Sequence, residues 1–274
     1  MKNGLYITAD DLGLSQPVSD GIIYCGERNL IHGAALLVNC PGTHYALNAL
    51  PKLKSIEVGL HLGLVEGYSL TKNKSLLDRK AYFQADRACL YLNWKRFAKD
   101  YLSLKISRQE LREEFEAQIE YFKKNVGPIP FLNGTQHLHI LPGIIEIVLE
   151  LCEKHHIPKI RHSDVTLSEM KFTQKKLFGA SMIKASSAYT GIRLKLSKIQ
   201  SMGETYGITI SGQTDKSFMD FVLAESRSKS IELVMHPGYD DENLRSLIPE
   251  NYSQFDWVKE LESLVYLKEK INES

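Results

Sequence analysis

"GLYITADDLGLSQPVSDGIIYCGERN", residues 4–29, sets three signals in an order that decides the fold class. A short apolar run, "GLYIT" (4–8), reads as a strand. Two carboxylates, Asp10 and Asp11, stand where that strand ends, and Pro17 then opens a helix-like segment over residues 18–29. The same succession recurs along the chain. "GAALLVN" (33–39), "SIEVGLHLGL" (55–64), "IPFLNG" (129–134), "IPKIRHS" (157–163), "GITIS" (207–211) and "SIELVMHPG" (230–238) are further strand candidates. Helix signals fall between them. Ser107 and Glu110 form an N-terminal cap pattern for a segment that Gly127 ends, and Pro142 starts "PGIIEIVLELCEKHH". About seven strand-then-helix units predict an α/β fold with a parallel sheet, closed as a barrel or left open.

The 274 residues are 43% hydrophobic and 24% charged, with a formal net charge of +1. This balance excludes a disordered or fibrous chain and gives no electrostatic reason to expect nucleic acid or an anionic membrane surface as partner. No linker rich in Pro, Gly or Ser and no repeat divides the sequence, so it reads as a single domain over 1–274. Two long connections, at about 65–106 and 164–206, interrupt the rhythm; such excursions in α/β domains gather on the ligand-binding side. The second carries Lys171, Lys175, Lys176, Lys184, Lys195 and Lys198, which serve either a ligand or a solvated helix face. Cys25, Cys40, Cys89 and Cys152 are far apart without a C-x-x-C pair, which suits buried reduced thiols. No stretch supplies the roughly eighteen apolar residues of a membrane span, and no signal-like apolar region precedes Asp10; the expectation is a cytoplasmic protein.

Reactive side chains collect where parallel strands finish, because the following loops converge there. Asp10 and Asp11 fit that rule, as do His61, His137 and His139, Arg161 with His162, and His236. Of two adjacent carboxylates, one can bind a hard cation while the other takes a proton from water; the plainer alternative is a helix cap or an Asx-turn. His61, in an apolar strand between Gly59 and Gly63, is either a metal ligand or a hydrogen-bonded core histidine. His236 stands before Pro237-Gly238 at a strand rim, where it can act as a general acid tuned by Asp240 or Asp241, or simply occupy a turn.

"ITADDLGLS", "VGLHLGL", "QHLHILPGI" and "IELVMHPGYDD", in this order, resemble the YdjC-like carbohydrate deacetylases, which include chitooligosaccharide deacetylases, over nearly the whole chain. The resemblance implies a single (β/α) barrel-like domain, usually a homodimer. It also implies a divalent cation, most often Mg2+ with Zn2+ as the other choice, and removal of an N-acetyl group from an amino sugar or oligosaccharide, a small-molecule carbohydrate substrate. Asp10 would be the general base, His236 the general acid, and Asp11 and His61 metal ligands. His137, His139 and Arg161 would contact the sugar or support the ligands. The family pattern resembles D-[GS]-H-x-H-x-H where this chain has "NGTQHLH", which puts Asn133 at the aspartate and Thr135 at the histidine that completes the metal triad. Thr135, His137 or water is then the third ligand. A second departure is "IRHSD", where the family more often has a proline and a downstream glutamate after the arginine.

Tyr68, Tyr82, Trp94 and Tyr239 are candidates to pack on sugar faces. A second reading is a catalytically impaired carbohydrate-binding or regulatory protein. A third is a metallohydrolase of the amidohydrolase or phosphoesterase type, although those more often carry H-x-H at the first strand and this chain has it near the middle.

Overall fold

The computed structural model describes residues 4–78, 88–166, 168–172 and 177–273. Tyr82, Lys175 and Lys176 lie outside them. Strands β1 (Leu5–Leu12), β2 (Gly33–Leu36), β3 (Glu57–Leu62), β4 (Leu132–Gly134), β5 (Lys159–Ile160), β6 (Gln200–Ser201), β7 (Glu204–Tyr206) and β8 (Ile231–Met235) form one sheet. Their order is β6-β5-β4-β3-β2-β1-β8-β7, and every pair is parallel.

The two edge strands are nearly continuous in sequence, with only Met202 and Gly203 between them. Gln200 and Ser201 pair with β5, whereas Glu204, Thr205 and Tyr206 pair with β8. One stretch of chain therefore serves both edges, and the sheet curls into a barrel-like form with seven strand positions. Helices α1 (Gln16–Glu27), α2 (Thr43–Ala49), α3 (Trp94–Leu102), α4 (Arg108–Asn125), α5 (Ile144–His155), α6 (Leu177–Lys195), α7 (Lys216–Glu225), α8 (Glu242–Leu247), α9 (Pro249–Tyr252) and α10 (Trp257–Glu273) fill the connections. The (β/α) barrel-like fold expected from the sequence is the architecture found.

Local chemistry explains the boundaries. Ser15 caps α1, with Pro17 in its first turn, so neither Asp10 nor Asp11 serves as the cap of that helix. Ser107 caps α4 through the Glu110 amide. All four cysteines are buried free thiols. Among the described residues no helix is long and apolar enough to cross a membrane.

The structure redraws one strand. "GITIS" (207–211) is a series of turns, and the strand lies just before it at Glu204–Tyr206. The cause is a buried carboxylate from the second excursion. Glu169 accepts hydrogen bonds from the Gly207 amide (3.2 Å), the Thr209 amide (3.0 Å) and the Thr209 hydroxyl (2.8 Å), which bends these residues out of the ladder. The excursion thus ends before β6 rather than at 206. The first excursion is pinned in the same way by Glu114 of α4, which receives Ser69 Oγ at 2.8 Å, the amides of Leu70 and Thr71 at 3.1 Å, and Thr71 Oγ1 at 2.7 Å.

Gly207 makes the turn possible. Its φ is +97°, and a Cβ there would lie 2.3 Å from the Val234 carbonyl oxygen of β8. Gly207→Ala should therefore destabilise the protein by more than about 2 kcal/mol. Gly127→Ala is the control, because Gly127 has φ +119° with nothing within 4 Å of where a Cβ would sit, so its substitution incurs backbone strain alone. Urea unfolding of the two variants should separate them in that order.

Candidate active site

The end of β1 is irregular. Its register with β2 shifts between Ala9 and Leu12, and Asp11 takes a left-handed conformation with φ 71°. Such a bulge re-aims neighbouring side chains, and here it gives the two consecutive carboxylates different partners. Asp10 meets Arg161 and Asn133; Asp11 meets His61.

Arg161 follows β5 and is fully buried. Its Nη1 donates to Asp10 Oδ2, its Nη2 donates to Asp10 Oδ1 at 2.9 Å, and its Nε donates to Glu232 Oε1 of β8 at 2.9 Å. Thr8 Oγ1 donates to that same Glu232 oxygen at 2.9 Å. Asn133, in β4, adds a 2.9 Å bond from Nδ2 to Asp10 Oδ1. Burial by itself would raise the Asp10 carboxyl, but the Arg161 guanidinium, aided by His61, outweighs it and holds the group well below the usual carboxylate range. Asp10 is therefore an ionised carboxylate whose Oδ1 is saturated and whose Oδ2 keeps a lone pair.

Asn133 also fixes His61. Its Oδ1 lies 2.5 Å from His61 Nδ1, so that ring nitrogen carries a proton and donates to the amide. His61 Nε2 faces Asp11 Oδ1 at 3.4 Å. Two lone-pair donors face each other across that gap whenever the ring is neutral, which is an arrangement a cation relieves. Burial lowers the proton affinity of His61, and the charges of Asp10 and Asp11 together with these hydrogen bonds more than restore it.

The rest of "NGTQHLH" is arranged otherwise. Thr135 is buried and turned to the exit of β3: its Oγ1 accepts from the Leu64 amide at 3.2 Å and donates to the Leu62 carbonyl at 3.4 Å. His137 Nδ1 lies 3.1 Å from Ser163 Oγ, and His139 Nε2 donates to the Arg161 carbonyl at 3.0 Å. Burial, reinforced by the Arg161 charge, holds His137 well below its ordinary value, and burial pushes His139 down to about 3, so both rings are neutral. His139 braces the backbone at Arg161, just after β5. Among the described residues no group of three or more His, Cys, Asp and Glu side chains is gathered to hold a metal ion, which leaves Asp11 and His61 as a pair.

His236 leaves β8 and meets Glu260 of α10, not the expected Asp240 or Asp241. Glu260 Oε2 accepts the His236 amide at 2.6 Å and lies 3.7 Å from the ring Nδ1, while Oε1 accepts the Gly212 amide. Asp240 instead pairs with Arg245, and Asp241 caps α8 through the Leu244 amide. Burial lowers His236, but Glu260 outweighs it and lifts the imidazole to about 9, so it is cationic at neutral pH.

These groups share one cavity of about 450 Å³ at the strand ends, lined by Asp10, Asp11, His61, Thr135, His137 and His236 among others. Trp94, Tyr252 and Phe255 add aromatic wall. Of the residues expected to stack on a sugar, Trp94 reaches the cavity. Tyr68 is buried against Cys89 instead, and Tyr239 lies on the surface outside it. Glu260, Glu232 and Glu66 are not singled out by the sequence motifs. Of the three, Glu232 carries a signal, since a carboxylate inside the apolar strand "SIELVMHPG" implies a buried partner.

The chain matches the YdjC-like protein family over residues 4–268. It belongs to the YdjC-like family. Among curated relatives, a carbohydrate deacetylase of Clostridium beijerinckii is 29% identical over 267 residues, covering 95% of this chain and 90% of the relative. Carbohydrate deacetylases of Halalkalibacterium halodurans and Xenopus laevis are each 27% identical, over 88% and 95% of this chain and 87% and 90% of their own lengths. The fold also matches the crystal structure of a provisionally named cellobiose-phosphate cleavage protein of Enterococcus faecalis, with a TM-score of 0.72 and 18% identity over 98% of this chain and 94% of that one. Within this YdjC-like chain, Thr135 binds the β3 exit through its hydroxyl, at the place where the family pattern leads one to expect an imidazole.

The Glu260–His236 contact carries a pH signature. Because the folded-state value is raised, its stabilisation is complete below the ordinary imidazole value of 6.5 and is lost as pH rises through about 9. Thermal unfolding of the wild type across that interval should show the loss, and Glu260→Gln should flatten it. An unchanged slope in the variant would remove Glu260 as the cause.

Proposed function

We propose that this YdjC-like chain is a metal-dependent sugar deacetylase that hydrolyses an N-acetyl group from an amino sugar or oligosaccharide. The observation that carries the reading is the meeting, in one cavity, of a carboxylate bonded to Arg161 and an imidazole beside Glu260. The names of the curated relatives support the reaction class.

The residues divide the chemistry according to their bonds. Asp10 takes a proton from the attacking water at Oδ2, the oxygen that keeps a free lone pair. Its low proton affinity makes it a weak base that is nevertheless ionised at any working pH. His236 gives the proton at Nε2 to the departing amine, since Nδ1 faces Glu260. Water adds to the acetyl carbon and the C–N bond breaks, so acetate and a free amino sugar are the products.

Asp11 and His61 would hold a divalent cation, which when bound supplies Lewis-acid polarisation of the acetyl carbonyl and acidifies water. The number of protein ligands suits Mg2+, which is held through one or two carboxylates and keeps several waters; the His61 imidazole is a donor that Zn2+ takes more readily, but catalytic zinc has three protein ligands and this pair supplies two. Thr135, with its hydroxyl already bonded to the β3 exit, adds a neutral oxygen at most.

A second reading, sugar binding without hydrolysis, draws on that same missing imidazole. Purified protein should release acetate from N-acetylglucosamine or its β-1,4 oligomers in the presence of Mg2+ and stop on addition of chelator. Asp10→Asn should lower the rate by roughly 10²–10⁴-fold, the range for loss of a general base. Thr135→His should tighten Zn2+ binding in a competition titration. Sugar binding with no acetate from the wild type but release by Thr135→His would establish the second reading.

A further inference from the structure

Glu66 is a buried carboxyl on the cavity wall that the reaction above does not use. It lies on the loop after β3, and its backbone is strained, with φ 68° for a residue that has a Cβ. The loop is held rigidly: the Glu66 amide donates to the Tyr91 carbonyl at 2.8 Å, Cys40 Sγ donates to the Glu66 carbonyl at 3.3 Å, and the Tyr68 amide donates to the Asn39 carbonyl at 2.7 Å. The carboxyl itself meets neutral donors. Tyr252 OH donates to Oε2 at 2.6 Å, Gln136 Nε2 donates to Oε1 at 3.3 Å, and Asn251 Nδ2 also donates to Oε1. Gln136 is strained as well, with φ 50°.

Three features separate this arrangement from simple glue between loops. Among the described residues no Lys, Arg or His forms an ion pair with Glu66, so a buried acid is kept without a cation. Burial, with Asp11 nearby, pushes it up to about 7. And Oε1 has its two lone pairs taken, whereas Oε2 has one partner and one lone pair left, in a residue that lines the same cavity as Asp11 and His61. The ligand that fits is a polyhydroxylated one, since sugar hydroxyls supply neutral donors to a fixed acceptor.

We propose that Glu66 is a specificity-determining residue that accepts a hydrogen bond at Oε2 from a hydroxyl of the sugar bound beside Asp11 and His61. This rests on the deacetylase reading for the identity of the sugar but not on turnover. Tyr252 and Gln136 aim the carboxyl, so the hydroxyl finds its acceptor preorganised.

The test uses the full chain with Mg2+, N-acetylglucosamine and its 3-, 4- and 6-deoxy analogues. Acetate release is followed where turnover occurs, and isothermal titration is used in either case. For the wild type at about pH 8, above the value near 7 to which Glu66 is pushed, one of the deoxy sugars should bind about tenfold or more weaker than N-acetylglucosamine, the size of one hydrogen bond to a charged group. Glu66→Gln should raise KM, or Kd, for N-acetylglucosamine by a similar factor with kcat changed less than about threefold, and should no longer discriminate against that analogue. Equal binding of all four sugars by the wild type would overturn the proposal without any variant. So would a Glu66→Gln protein that keeps the wild-type preference, or wild-type protein that binds none of the sugars. Binding with the predicted hydroxyl preference but no acetate would instead sustain Glu66 and defeat the deacetylase reading.

Discussion

The buried bidentate pair between Arg161 and Asp10, extended to Glu232, is the constraint on which the site depends. It joins β1, the exit of β5 and β8, bringing β5 together with two strands that the sheet order places well away from it. Arg161 is fully buried, and moving a guanidinium out of water is costly unless its donors are met. They are met by two carboxylates whose own burial would be costly without it. Removing any one member leaves uncompensated charge inside the barrel, so the three are held as a unit. The consequence for chemistry is that Asp10 can be nothing but a carboxylate at a fixed place.

The remaining groups are arranged around that fixed charge. Asn133 bonds Asp10 with one end of its amide and His61 with the other, so the orientation of the imidazole is set by the position of Asp10. A carboxylate at position 133 would have to accept from His61 while facing Asp10 at hydrogen-bond distance; the amide satisfies both neighbours without repulsion. His139 braces the backbone of Arg161. His236 has its own anchor: Glu260 reaches from α10 to both His236 and the loop at Gly212. An anionic base and a cationic acid are thereby kept in opposite charge states within one cavity, each by a buried partner of the other sign.

Much of this is legible in the sequence. The strand-and-helix rhythm gives the parallel sheet, and Asp10, Asp11, His61, His137 and His236 all reach the cavity because they stand where strands end. The apolar pattern of "GITIS" points a few residues past the true strand at 204–206, because it describes burial and not ladder pairing; the bend comes from Glu169, 38 residues away from Gly207 in sequence. Glu260 is not legible as the partner of His236, since an amphipathic helix near the C-terminus has many glutamates and only packing selects one. Glu66 is hidden for another reason: its role follows from donors at Gln136, Asn251 and Tyr252, which are brought together by the curl of the sheet. The change from histidine to Thr135 is visible, but its consequence, a hydroxyl bonded to the β3 exit, is not.

Arg161 keeps Asp10 ionised under all conditions in which the protein is folded. Carbon-13 NMR titration of the Asp10 carboxyl measures this directly. The signal should keep its ionised shift as pH falls through 3.8, the ordinary value for aspartate, for as long as the fold persists. A midpoint near that ordinary value in the folded protein would contradict it.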